Sequence, residues 1–109
     1  LVGARPRFVD VEISQNINPE EIEKNINKKT KAIMVVHFKG EIANMNSILN
    51  IAKKYNLAVI EDASQAFGAY YKSKPAGSFG NISAKCNRTK SPNSSAQSYV
   101  SVRRPASKQ

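Results

Sequence analysis

The chain has 109 residues, 40% of them apolar, which is enough for one small domain. Its longest apolar runs, residues 32–36 and 57–60, are far shorter than the roughly 20 residues a membrane-crossing helix needs, and its one cysteine, Cys86, excludes an internal disulfide and sits in no metal-binding spacing. The net charge of +9 is uneven: residues 1–83 carry 11 Lys/Arg and all 8 Asp/Glu, whereas residues 84–109 carry 6 Lys/Arg and no acid. Two thirds of the excess therefore lies in the last quarter of the chain, and a reducing cytoplasm fits the cysteine usage. The opening Leu1-Val2-Gly3-Ala4 has no initiator Met and no leader pattern, so it reads as a cut inside a longer chain.

Arg7-Phe8-Val9-Asp10-Val11-Glu12 alternates apolar and polar residues and predicts a first strand with one buried face. Asn18-Pro19-Glu20-Glu21 is a helix start: Asn can cap, Pro fits the first turn, and the acids suit the positive end of the dipole. Ile22 and Ile26, four apart, give that helix its apolar stripe. The unbroken apolar run 32–36 predicts a strand covered on both faces, as in a parallel sheet. Met45, Ile48, Leu49, Ala52 and Tyr55 recur at steps of three and four, predicting an amphipathic helix over residues 44–55 that Asn56 ends in the left-handed conformation. Residues 57–60 are then a further buried strand, and 32–61 a strand–helix–strand unit with a right-handed parallel crossover. A short strand at 69–72 and a turn at 73–77 lead into Ser78-Phe79-Gly80-Asn81-Ile82. Residues 1–83 therefore form an α/β unit, a parallel sheet with flanking helices. Residues 84–109 have no period and are rich in Ser, Pro and basic residues, a composition that does not bury a core and predicts a disordered tail.

Ligands of open α/β sheets gather at the carboxyl ends of the strands, which singles out His37-Phe38-Lys39-Gly40 and Glu61-Asp62-Ala63-Ser64-Gln65. A carboxylate at such a strand end can keep the pyridine nitrogen of pyridoxal 5'-phosphate (PLP) protonated, making the ring a better electron sink, and Gln65 can hydrogen-bond near the same ring. The bland alternatives are a solvated or helix-capping acid and a structural histidine. The stripe Met45, Ile48, Leu49, Ala52 is core.

Several motifs in order, Gly3-Ala4-Arg5-Pro6-Arg7-Phe8-Val9-Asp10-Val11, Val36-His37-Phe38-Lys39-Gly40, Ala43-Asn44-Met45, Val59-Ile60-Glu61-Asp62-Ala63-Ser64-Gln65-Ala66-Phe67-Gly68 and Gly77-Ser78-Phe79-Gly80, resemble the DegT/DnrJ/EryC1/StrS family. These are fold-type I, PLP-dependent sugar aminotransferases, and the resemblance runs from Gly3 to Ser83. It implies part of the large PLP-binding domain, with Asp62 paired to the pyridine nitrogen and Gln65 near the ring oxygen. It also implies amino transfer, usually from glutamate, to a keto carbon of a nucleotide-linked sugar in cell-envelope or antibiotic sugar biosynthesis. Complete relatives are homodimers with active sites at the subunit interface, and the expected location is cytoplasmic.

Where the family has Ser-Phe-x-x-x-Lys, with a phosphate-binding Ser and a Schiff-base Lys, this chain has Ser83-Ala84-Lys85-Cys86-Asn87-Arg88-Thr89-Lys90. Lys90 is the candidate Schiff-base lysine, one residue early, and Ser83 is the nearest substitute for the phosphate ligand, two positions off. The family's glycine-rich segment after the lysine is replaced by Ser91-Pro92-Asn93-Ser94-Ser95. The family's upstream phosphate loop and small C-terminal domain are not in the chain. These departures predict a chain that is not a competent transaminase alone, and a reading frame that leaves the family near Ala84. Family members that replace the lysine with histidine act as dehydratases, but no His stands near Lys90.

Two other functions compete. Arg88, Lys90, Arg103, Arg104 and Lys108 could neutralise nucleic-acid phosphates, but only Tyr99 could stack on a base, and a solvated tail is the stronger reading. A non-catalytic α/β domain holding a metal through Glu61 and Asp62 ranks last, because no further acid cluster accompanies them.

Overall fold

The structure is a computed structural model that describes residues 3–87 and 97–102; for residues 86, 87 and 97–102 it gives the strand path alone. Helix α1 (Pro19–Asn25) begins as its sequence dictates, with the Asn18 side chain accepting from the Glu20 N–H and Pro19 in the first turn. Strand β1 (Ala32–Val36) leads through a tight turn at Phe38–Gly40 to α2 (Met45–Lys54), which Asn44 caps by accepting from the Ser47 N–H. Asn56 takes the left-handed conformation (φ 53) after α2, and the Leu57 N–H closes the helix end on the Ala52 carbonyl at 2.8 Å. Strand β2 (Ala58–Asp62) follows, then a hairpin of β3 (Tyr70–Tyr71) and β4 (Lys74–Pro75), then β5 (Ile82–Asn87) and β6 (Gln97–Val102).

The main sheet runs β1-β2-β5-β6. The first three strands are parallel, with Val36 opposite Asp62 and Asp62 opposite Ala84, and β6 is antiparallel to β5. Both helices pack on one face: Ile22 of α1 and Met45, Ile48 and Ala52 of α2 cluster with Ile33, Val35 and Val59 of the sheet. Each large side chain buried there contributes about 1.5–3 kcal/mol of apolar transfer.

Two expectations change. The run 32–36 is apolar throughout, yet its burial alternates, with Met34 60% exposed on a face that α1 and α2 do not cover. Residues 7–12 form no strand beyond an isolated bridge between Val11 and Ile17. Alternation specifies a strand only when a neighbouring edge takes up the backbone; here the segment turns on itself, with Glu12 N–H to Asn16 O at 2.8 Å and Asn18 N–H to Asp10 O at 3.0 Å. Strand β5 continues past Ser83: Ala84 pairs with Asp62 and its carbonyl accepts from the Ala63 N–H at 2.9 Å. Residues 97–102 of the expected tail form β6, whereas Arg88, Lys90, Arg103, Arg104 and Lys108 lie outside the described residues. Among the described residues no helix is long and apolar enough to cross a membrane.

Candidate active site

The two strand-end segments singled out by the sequence meet at the carboxyl end of the sheet. The backbone N–H of His37 donates to the Asp62 carbonyl at 3.0 Å, and the Lys39 N–H donates to Gln65 Oε1 at 3.2 Å. Lys39 and Gly40 both adopt positive φ, 51 and 82, which turns the chain back toward α2 within three residues.

Beneath this junction lies a buried pair that the sequence did not announce. His37 and Glu61 are both fully buried, with His37 Nε2 2.7 Å from Glu61 Oε1. The backbone N–H of Ala43 donates to His37 Nδ1 at 3.1 Å. An amide N–H cannot accept, so Nδ1 is the bare nitrogen and Nε2 carries the hydrogen toward the carboxylate. Glu61 takes three more donors from the loop before β5: Gly77 N–H on Oε1 at 2.6 Å, and Phe79 and Gly80 N–H on Oε2, both at 2.9 Å. Burial pushes the Glu61 carboxyl up, but the bonds from His37 and from the Gly80, Gly77 and Phe79 amides outweigh it and hold the group below its ordinary range. Gly80 permits the approach, since a Cβ there would stand 2.8 Å from the Val59 carbonyl oxygen.

This saturation removes the metal reading of Glu61 and Asp62. Side chains alternate along a strand, so Glu61 points inward with Val59, and Asp62 points to the open face with Ile60; they do not converge on one ion. Among the described residues no group of three or more His, Cys, Asp and Glu side chains is placed to hold a metal.

Asp62 is half-buried at the mouth, and its Oδ1 accepts from the Ser64 N–H at 3.0 Å and hydroxyl at 2.6 Å. Its Oδ2 accepts from no group among the described residues. Gln65 is exposed beside it, its Oε1 turned to Lys39. Ser83 is not brought to this mouth: it is 2% exposed and pairs with Glu61, so it belongs to the covered face. Lys90 lies outside the described residues. Sequence reasoning missed the His37–Glu61 partnership, although Glu61 stands two residues after Val59 on the covered face, a parity that pointed it inward. It also missed Asn16, 3% exposed, whose side chain accepts from the Phe38 N–H at 2.8 Å and donates to the Glu41 carbonyl at 3.1 Å.

Residues 1–86 match the model of the DegT/DnrJ/EryC1/StrS aminotransferase family. The chain belongs to this family. As a DegT/DnrJ/EryC1/StrS member it is 54% identical over 79 residues to a dTDP-3-amino-3,6-dideoxy-alpha-D-galactopyranose transaminase of Aneurinibacillus thermoaerophilus, a match covering 72% of this chain and 22% of that protein. The aminotransferase of Psychrobacter cryohalolentis superimposes with a TM-score of 0.76 at 45% identity, over 78% of this chain and 22% of that one. A GDP-4-keto-6-deoxymannose-3-dehydratase solved with a trapped PLP-glutamate geminal diamine superimposes at 0.68 and 31% identity, over 72% and 21%. The chain thus spans about a fifth of the length of the relatives it matches. Its fold is that of an α/β segment of fold-type I aminotransferases. The family match takes in Asp62, Gln65 and Ser83 and ends before Lys90.

Proposed function

We propose that this chain is a segment of the cofactor-binding half of a PLP-dependent aminotransferase that moves an amino group from glutamate onto a keto nucleotide sugar. The observation that carries the proposal is the Asp62 carboxylate at the carboxyl end of β2, whose Oδ2 has no partner among the described residues and faces the open side of the sheet, with the Gln65 amide three residues on. That donor set suits PLP: a carboxylate for the protonated pyridine nitrogen and an amide beside it for the ring oxygen. When bound, PLP supplies an electron sink for the carbon that loses its proton. Asp62 would hold the ring-nitrogen proton, Ser64 would fix the Asp62 rotamer, and Gln65 would orient the ring.

Ser83 is left out of the proposed cofactor site because it is buried on the other face, and Lys90 stays the attachment candidate on sequence alone. The proposal extends to a homodimer in the cytoplasm. Because it covers 22% of the Aneurinibacillus transaminase, the 109-residue chain is expected to show no turnover of a keto nucleotide sugar with glutamate and PLP; turnover would refute this. The end of the family match at residue 86 supports a reading frame that departs near Ala84. Sequencing the locus tests this: family sequence in another frame downstream is expected, and an uninterrupted expressed frame with no such remnant would contradict it.

PLP titration of protein carrying this segment, followed by the cofactor's visible absorbance, tests the cofactor role. Asp62→Asn loses a charge-assisted bond of about 1.5–3 kcal/mol and is expected to weaken binding about 10- to 100-fold. Equal binding by both proteins would overturn the role of Asp62.

A further inference from the structure

Glu61 and His37 are buried and take no part in the chemistry proposed above, yet each stands next to a group that does. Successive side chains of a strand point to opposite faces, so four donors that hold Glu61 inward also hold Asp62 outward. On the other side, His37 ties the end of β1 to Glu61 through Nε2 and to the start of α2 through Nδ1. Asn16 grips the same segment from behind at Phe38 and Glu41. Held at 37, 38 and 41, the turn aims the Lys39 N–H at Gln65. A backbone N–H only donates, so the Gln65 atom that faces Lys39 is the carbonyl oxygen. The amide nitrogen is the end left for a ligand.

We propose that Glu61 and His37 are positioning residues of the cofactor site: they hold residues 37–41 against 61–65, so that Asp62 presents a carboxylate oxygen on the open face and Gln65 presents its amide hydrogens to an acceptor on the ligand. The identity of that ligand rests on the PLP reading above; the loop geometry does not.

His37 is the only histidine, so long-range 1H–15N spectra of the full chain report on it alone. The expected result is a hydrogen on Nε2 and a bare Nδ1. His37→Phe keeps the volume and removes both ring hydrogen bonds. It is expected to speed amide exchange at Lys39 about tenfold and to shift the Gln65 side-chain amide resonances. His37→Gln, with one donor and one acceptor at similar separation, is expected to restore both signals. Ile48→Val, a core change remote from the turn, lowers stability and is expected to leave both signals in place, which separates positioning from folding.

A hydrogen on Nδ1 in the unmodified chain, or Lys39 and Gln65 signals that survive His37→Phe, would overturn the proposal. If His37→Phe does not fold, Gln65→Ala decides. Faster exchange at Lys39 supports the aimed N–H, and unchanged exchange overturns it. PLP titration separates the two readings. Asp62→Asn binding PLP as well as the unmodified protein sinks the cofactor reading alone. Weakened binding in Asp62→Asn with none in His37→Phe sinks the positioning role alone.

Discussion

At Glu61, burial favours the protonated acid, and four hydrogen bonds favour the carboxylate. The bonds win, because three come from backbone amides that can only donate and the fourth from a histidine whose other nitrogen is already occupied. No neutral isostere satisfies this site: the amide of Glu61→Gln would turn an NH2 against one of those N–H groups. Glu61→Gln is expected to cost about 3 kcal/mol in urea unfolding, the magnitude of stranding buried polar partners. Since the folded carboxyl lies below its unfolded value of 4.5, its contribution is complete above that pH and drains away as pH falls through the lower folded value. Acid unfolding curves should show this loss in the unmodified chain, and the same acid-dependent loss in Glu61→Gln would mean that another carboxyl is responsible.

Elements with strong local signals were readable from the sequence. Helix α2 follows from the spacing of its stripe: Met45, Ile48 and Ala52 are buried and Leu49 packs against them partly buried, whereas Tyr55, at the end of the stripe, is exposed. Asn44→Ala should cost about 1 kcal/mol, and Ile48→Ala about 2–5 kcal/mol through the cavity it leaves, both readable as shifts in denaturation midpoint. Features that depend on a distant partner were not readable. Residues 7–12 carry a strand's alternation but no edge receives them, and the run 32–36 gave no hint that one of its faces would stay open. His37 and Glu61 are 24 residues apart, and only the β1–β2 register, with Val36 opposite Asp62, brings them together. Asp62 and Gln65, by contrast, stand out as candidates in the sequence because strand-end position and motif act within five residues.

Over the whole molecule, the sheet divides into a covered face that stabilises the fold and an open face that carries Asp62. Glu61 and Asp62, adjacent in sequence, serve those two faces separately, which is why a motif that looks like one acidic pair is an internal anchor and a half-buried carboxylate at the sheet's mouth. Fragment length does not erase this division, since the 1–86 match includes β1, α2, β2 and most of β5. The decisive measurement is a graft: residues 1–86 replace the matching segment of the Aneurinibacillus transaminase, and PLP affinity is titrated by absorbance with Asp62 and with Asn in its place. The expected result is a folded chimera that binds PLP and loses about 10- to 100-fold in affinity on Asp62→Asn. A folded chimera that binds PLP equally well with either residue would contradict the assignment of Asp62 as the cofactor's anchor.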